Sequence, residues 1–136
     1  MFNAIGVDVS AFVSGTPVAS GMASVILGPL NLGRRPRKTF TLYNAGTVTL
    51  SGAIVQVNPD QGGQMALQGA TPGAPQVIAP NPALWHTYDA ASFQSLGAGQ
   101  VRSLVASDLF RWWRIVGVND QPAAIAASGW CYAASL

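Results

Sequence analysis

The chain has very little charge. Only 9% of its 136 residues are Asp, Glu, Lys or Arg, it contains no Glu, and Lys38 is its only lysine. Long surface helices use Glu and Lys for their solvated faces and for i,i+4 ion pairs, so such helices are not expected. Soluble domains usually have about 25% charged residues. The shortage leaves much of the exterior neutral or apolar, which is typical of a surface that contacts other proteins.

The chain also has few residues with which to do chemistry. His86 is the only histidine and Cys131 the only cysteine, so an internal disulfide is excluded, and no His-based triad or zinc-ligand spacing is present. No motif for a serine nucleophile or a phosphate loop occurs. All five carboxylates are Asp, and four of them fall at predicted turns, where Asp shapes the backbone. We therefore expect no catalytic residue, metal ion or cofactor, and no enzymatic activity.

Neither nucleic acid nor a membrane is expected as a partner. The net charge is +2 and the pI about 9.1, too small a charge for an extended basic field. The uncharged run Val9–Leu32 is interrupted by prolines, glycines and serines, so it does not predict a membrane span. The first residues lack a basic start, and Asp8 lies where the apolar part of a signal peptide would be. We expect a protein that is made without a signal peptide and not exported.

Apolar and polar residues alternate over short runs along most of the chain, which is the period of β-strands. The clearest run is Lys38–Asn44, in which Phe40 and Leu42 point to one face and the residues between them to the other. A turn is predicted at Gly15–Pro17, and a bulge or break near Gly52, where the apolar face changes parity. The predicted strands are Ile5–Val13, Met22–Leu27, Lys38–Asn44, Thr47–Val57, Trp85–Phe93, Val101–Ala106, Arg111–Val118 and Ala124–Ala133.

This pattern predicts one all-β domain over residues 1–136. Its expected fold is an antiparallel β-sandwich of seven or eight short strands, either immunoglobulin-like or a small jelly roll or barrel. Residues 58–82 are rich in Pro and Gly and lack periodicity, which predicts a long loop that could act as a contact arm. Its apolar piece Gln76–Ala79 could pair with a sheet edge or reach a neighbouring subunit.

Two clusters are candidates for protein contacts. Residues 34–38 hold four cations in five positions, which suits nucleic acid or an acidic protein face, although a solvated or ion-paired loop is the commoner explanation. Residues 111–114 place two tryptophans between two arginines; one Trp should enter the core, while the other has the composition of interface hot spots or stacks on an Arg of its own chain. The candidate interface residues are Arg34, Arg35, Arg37, Trp85, Arg111, Trp112, Trp113 and Arg114.

Part of the chain resembles immunoglobulin-like β-sandwich modules. The run Phe40–Gly46, continued by Leu50–Asp60, resembles two adjacent strands of such a module joined by an Asn-x-Gly turn. The runs Leu96–Gln100 and Arg111–Val118 are similar to its second half. The Cys, Trp and Cys core of antibody domains is missing, so the resemblance concerns architecture alone.

In composition the chain resembles the small accessory proteins of tailed-phage virions, in particular capsid decoration or cement proteins. The resemblance implies a non-catalytic virion protein, made in the host cytoplasm, that forms a homo-oligomer, with a trimer favoured, and binds the major capsid protein or another virion protein. It assigns no functional residue. The alternatives are a phage tail or head-completion subunit, and a carbohydrate- or surface-binding module, which would need an exposed platform made from Trp85, Trp112 or Trp113.

Overall fold

A computed structural model describes residues 9–33, 35–60 and 79–135 of the chain. In these ranges eight strands form two four-stranded antiparallel sheets, so the predicted all-β sandwich is confirmed. A single 3-10 turn, Pro82–Leu84, precedes the fifth strand. The strands are β1 (Val9–Val18), β2 (Ala23–Asn31), β3 (Arg37–Asn44), β4 (Gly52–Asn58), β5 (His86–Asp89), β6 (Val101–Ala106), β7 (Trp112–Val118) and β8 (Ile125–Ala134).

The strand order identifies the kind of sandwich. The first sheet has the order β1-β8-β3-β6 and the second β2-β7-β4-β5. The first strand therefore pairs with the eighth, the second with the seventh, the third with the sixth and the fourth with the fifth. A chain doubled back on itself in this way and rolled into two sheets is a jelly roll. Of the predicted alternatives the jelly roll is present, and the immunoglobulin-like resemblance is wrong in topology, because that fold divides its strands differently.

The predicted turn at Gly15–Pro17 is wrong. Strand β1 continues to Val18 along β8, and its register shifts between Val13 and Thr16. The extra residue forms a bulge in which Gly15 has a φ of +65° and its N–H donates to the Ser128 hydroxyl over 3.0 Å. A bulge bends the strand without taking it out of the sheet.

Other boundaries also differ from the prediction. The strand predicted from Thr47 begins at Gly52, with only an isolated bridge before it, so the expected break is confirmed. The strand predicted to reach Phe93 ends at Asp89, because the Asp89 carboxylate accepts the Ala91 N–H and begins a turn. The first predicted strand starts within residues 1–8, and most of the predicted contact arm is residues 61–78; both segments lie outside the described residues.

The core lies between the two sheets, and aromatic rings pack against one another within it. Phe40 of β3 stacks on Trp113 of β7 with ring centroids 5.3 Å apart, and Tyr88 of β5 meets Trp113 edge-on at 4.8 Å. Phe40 and Trp113 are fully buried. The prediction that one tryptophan of the pair enters the core is confirmed by Trp113.

Asparagine side chains close several of the turns between strands. The buried Asn44 accepts the Gly46 N–H over 2.8 Å and donates to the Val48 and Leu96 carbonyls at 2.8 and 2.9 Å. Asn119 does the same after β7, accepting from Gln121 at 2.8 Å and donating to two carbonyls. These side chains supply hydrogen bonds to backbone groups that leave the sheet, so the strands can end inside the protein.

Candidate functional site

On the outward side of the first sheet, three adjacent cross-strand rows carry no charge, and the exposed Arg37 of β3 lies in the next row. Its strands alternate, so that residues such as Phe40 and Cys131 point into the core and their neighbours point outward. We call the outward residues of three adjacent cross-strand rows the outer face. Its members are Ser10, Phe12, Ser14, Thr39, Thr41, Tyr43, Val101, Ser103, Val105, Ser128, Trp130 and Tyr132.

Large apolar side chains of the outer face are exposed to solvent. Val105 is 75% exposed, Val101 57%, Phe12 54% and Tyr132 44%. Phe12 packs against Trp130 on the neighbouring strand, with ring centroids 5.0 Å apart. Contiguous apolar surface of this kind is unusual on a free monomer and marks contact sites.

Three hydroxyls of the outer face are hydrogen-bonded within the sheet. The Thr41 and Ser103 hydroxyls are hydrogen-bonded to each other at 2.8 Å across β3 and β6. The Ser128 hydroxyl accepts the Gly15 N–H. A shallow depression between Thr41, Val101, Trp130 and Tyr132 breaks the flat surface. Covering these hydroxyls costs little free energy, because their hydrogen bonds remain when water is removed.

The tryptophans predicted as contact residues are mostly hidden. Trp113 has no exposed surface and Trp112 is 6% exposed. Trp112 and Arg114 lie on the outer side of β7, as the alternation predicted, but the Trp112 ring is covered there, and its Nε1 finds no hydrogen-bond partner. Neither ring is open to solvent, and a contact of the second Trp with a partner stays a prediction.

Trp85 is covered by Arg114. The Arg114 guanidinium lies 4.3 Å from the centre of the Trp85 ring, and its Nε donates to Gln56 Oε1 at 2.8 Å. Burial lowers the pKa of Arg114. An arginine of residues 111–114 thus stacks on a tryptophan of its own chain, but the ring is that of Trp85 and not the second Trp of the pair. The three tryptophans Trp85, Trp112 and Trp113 form no common exposed platform.

The basic cluster is largely engaged in internal contacts. Arg34 lies outside the described residues, Arg37 is exposed, and Arg35 and Arg111 are half-buried. Lys38 is 2% exposed; its Nζ donates to the Arg35 carbonyl at 2.5 Å and lies 5.0 Å from the centre of the Trp113 ring. Desolvation lowers the pKa of Lys38, an effect that the negative charge of Asp108 opposes. Lys38 therefore has a role inside the fold.

Among the reactive side chains, His86 stands apart, Tyr88 is paired with Asp108 and Cys131 is buried. His86 is exposed at the start of β5, with its ring edge-on to Phe110 at 5.5 Å. The Tyr88 hydroxyl donates to the Asp108 carboxylate, which raises the pKa of Tyr88 to about 12. Burial raises the pKa of Cys131 to about 12 as well. Both groups hold their protons at neutral pH, so neither is an activated nucleophile.

The described residues contain neither a metal-binding group nor a membrane-spanning helix. No group of three His, Cys, Asp or Glu side chains in these ranges is placed to hold a metal ion. No helix in the same ranges is long and apolar enough to cross a membrane.

Sequence analysis missed the aromatic residues of the outer face. Phe12, Trp130 and Tyr132 belong to strands whose alternation was recognised, and the alternation places Phe12 opposite the apolar face of its strand. A large apolar residue on the polar side of a strand was the available signal. The Arg-flanked Trp112 and Trp113 gave a stronger composition signal than this single residue.

Comparison with known proteins gives no family. No family model matches the chain, and no curated protein matches it. Among solved structures, the crystal structure of PirA is similar with a TM-score of 0.46 and 16% identity, over 93% of this chain and 95% of that one. A pilus structure from Bacillus endospore appendages is similar with a TM-score of 0.43 and 13% identity, over 92% and 87%. Likenesses this distant carry no argument about function, and the chain is assigned to no family.

Proposed function

We propose that the protein is a non-catalytic structural protein that works by binding other proteins through the outer face. The observation that carries this proposal is the outer face itself, twelve uncharged residues with Phe12, Tyr132, Val101 and Val105 exposed together. Burying apolar surface yields about 25 cal/mol per Å², so a partner that covers these side chains is stabilised by them. The Thr41 and Ser103 hydroxyls between them are already paired and do not oppose the contact.

The state of the reactive groups supports the absence of catalysis. Tyr88 and Cys131 have raised pKa values, and Lys38 is enclosed between a carbonyl and an aromatic ring. His86 stands apart on the surface of β5, where it contacts Leu84 and Phe110. General acid–base catalysis uses a group that titrates near the working pH, whereas the hydrogen-bonded pair Tyr88 and Asp108 keeps the Tyr88 proton because the pKa of Tyr88 is raised to about 12.

At a finer level we propose a virion protein, a capsid decoration or cement subunit whose partner is the major capsid protein or another virion protein. The 9% content of charged residues supports this, because such a subunit covers much of its surface with its neighbours. Jelly rolls also occur in viral capsid domains, although the same fold serves lectins and enzymes. A tail or head-completion subunit would share these features and differ in its location on the particle.

A binding experiment with phage particles tests this proposal. Particles that lack the protein would be incubated with the purified chain, with Tyr132→Asp and with the control Val118→Asp, and bound protein would be measured after sedimentation. Val118 is a matched control because it is 36% exposed on a strand of the other sheet. We expect binding of the unaltered chain and of Val118→Asp, and a loss of at least about tenfold for Tyr132→Asp, which places a charge in an apolar contact.

The contrary outcomes are distinct. If the unaltered chain does not sediment with particles, the virion role is wrong. If both variants bind equally well, the outer face is not the contact surface. Binding to a glycan array that is lost in Phe12→Ala would instead favour the carbohydrate-binding module, with Phe12 and Trp130 as the aromatic platform.

A further inference from the structure

The outer face is complementary to itself. We infer that a second copy of this chain docks on it, related by a two-fold axis that runs parallel to the strands between β8 and β3. The inference rests on the proposed function in that both use the outer face, and it names a second copy as the occupant. A two-fold interface brings the same patch of both copies together, so the patch must fit its own image.

The strand register arranges the outer face in three rows. Each row crosses β1, β8, β3 and β6, and neighbouring residues within it are paired in the sheet. Within each row, one of the β1 and β6 residues is larger than the other, and the same holds for the β8 and β3 residues. The rows are Ser10, Tyr132, Thr39 and Val105; then Phe12, Trp130, Thr41 and Ser103; then the Ser14 and Gly15 bulge, Ser128, Tyr43 and Val101.

The proposed axis brings each large side chain opposite a small one. It places β1 against β6 of the second copy and β8 against its β3, with each row facing itself. Phe12 then lies over Ser103 of the second copy, and Trp130 lies over its Thr41. The remaining pairs are Tyr132 with Thr39, Val105 with Ser10, Tyr43 with Ser128, and Val101 with the bulge at Ser14 and Gly15.

A two-fold axis perpendicular to the strands gives a poorer fit. With that axis over the middle row, Phe12 would meet Phe12 of the second copy and Trp130 would meet Trp130. Packed sheets lie about 10 Å apart and interdigitate large side chains with small ones, so rings facing rings would hold the sheets apart. The distribution of side-chain size therefore selects the axis parallel to the strands.

Charge and area set the expected strength of the contact. None of the twelve residues is charged, so the contact itself contains no like-charge pair; Arg37 lies in the next row, outside it. Four strands about 4.8 Å apart and about six residues long give a face of roughly 400 Å² in projection, about half of the ~800 Å² that each partner gives to a standard interface. We therefore expect a weak, concentration-dependent dimer.

A charge swap between opposed residues tests the geometry. The mass of the chain would be measured by analytical ultracentrifugation, from micromolar to millimolar concentration, for the unaltered chain, Phe12→Lys, Ser103→Asp and the double variant. Within one chain these two residues are three strand spacings apart, roughly 14 Å, too far to pair. Across the interface they are opposed, so each single variant should weaken dimerisation at least tenfold and the double variant should recover much of the loss. Val118→Lys, on the other sheet, should dimerise like the unaltered chain.

Several results would overturn the inference. A chain that stays monomeric at millimolar concentration excludes the dimer, and a trimer excludes the two-fold contact. A dimer that neither single variant weakens uses another surface, and a double variant no better than the singles rejects this axis. None of these results bears on particle binding by the unaltered chain, so the inference can fail while the proposed function stands. Circular dichroism of each variant separates loss of the contact from loss of the fold.

Discussion

The Cys131 thiol is buried in β8, and its environment makes the stability of the fold depend on alkaline pH. The unfolded thiol ionises near 9.0, while burial raises the folded pKa to about 12. Between these values the unfolded state releases a proton that the folded state keeps, so the free energy of unfolding should fall as pH rises from 9 to 12. Below pH 9 the contribution of the thiol is fully present.

Lys38 changes the free energy of unfolding in the opposite direction as pH rises, so its contribution has to be separated from that of Cys131. Its lowered pKa means that the folded state releases its proton first, so stability rises with pH until the unfolded value of 10.5 is passed. Urea unfolding of the unaltered chain and of Cys131→Ala at a series of pH values isolates the thiol. We expect the curve of Cys131→Ala to fall less steeply above pH 9, by up to about 1.4 kcal/mol per pH unit. If the free energy of unfolding fell equally steeply with pH in both proteins, the raised pKa of Cys131 would be contradicted.

At the scale of the element, the turn from β3 to β4 depends on Asn44. Its side chain makes three hydrogen bonds to backbone groups at 2.8 to 2.9 Å and is fully buried. Asn44→Ala leaves the Val48 and Leu96 carbonyls without this donor, and we expect it to lower the free energy of unfolding by about 1–3 kcal/mol. Urea denaturation measures the change.

Asn31 is the matched control for this prediction. It ends β2 and accepts the Gly33 N–H at 3.1 Å, but it is exposed, so water can replace its side chain. Asn31→Ala should cost markedly less than Asn44→Ala. Equal losses would show that the turn geometry, and not the burial of the asparagine, determines the cost.

The strands themselves were largely predictable, but their partners were not. The prediction Val101–Ala106 has the bounds that the structure shows, and Lys38–Asn44 misses one residue, because alternation and turn residues lie within a few positions of each other. The pairing of Phe12 with Trp130 joins residues 118 positions apart, since 130 − 12 = 118, and nothing local encodes it. The outer face depends on that pairing, so alternation could indicate its side chains but not their arrangement in rows.

The burial of Trp112 was unpredictable for a related reason. Alternation correctly placed Trp112 with Arg114 on the outer side of β7, where a Trp between two Arg has the composition of a hot spot. Its exposed fraction is nevertheless 6%, because exposure depends on what packs over the sheet. Alternation along a strand distinguishes its two faces, but it does not show whether other residues pack over the outer one.

For the whole molecule, an uncharged contact predicts assembly that is insensitive to salt. Coulomb interactions across an interface are screened as ionic strength rises, whereas burial of apolar surface is not weakened by this screening. The dissociation constant of the unaltered dimer should therefore change less than about threefold between low and moderate sodium chloride. Sedimentation at several salt concentrations measures it.

The charge-swapped double variant provides the contrast. Phe12→Lys with Ser103→Asp replaces an apolar contact by an ion pair, so its dimer should weaken as salt is added. Equal salt dependence in the two proteins would mean that charges outside the outer face, such as Arg37 at the end of β3, contribute to the contact.

The position of β8 has a consequence for the order in which the protein forms during synthesis. Strand Ile125–Ala134 lies between β1 and β3 in the first sheet and is the last of the eight to leave the ribosome. Until then β1 has no partner in its sheet, and Phe40 and Leu42 on β3 face an unfinished layer. A nascent chain of this topology therefore cannot complete its first sheet strand by strand as it leaves the ribosome. Its first sheet forms only once β8 has left the ribosome, and until then chaperones that hold nascent chains would meet an open sheet edge.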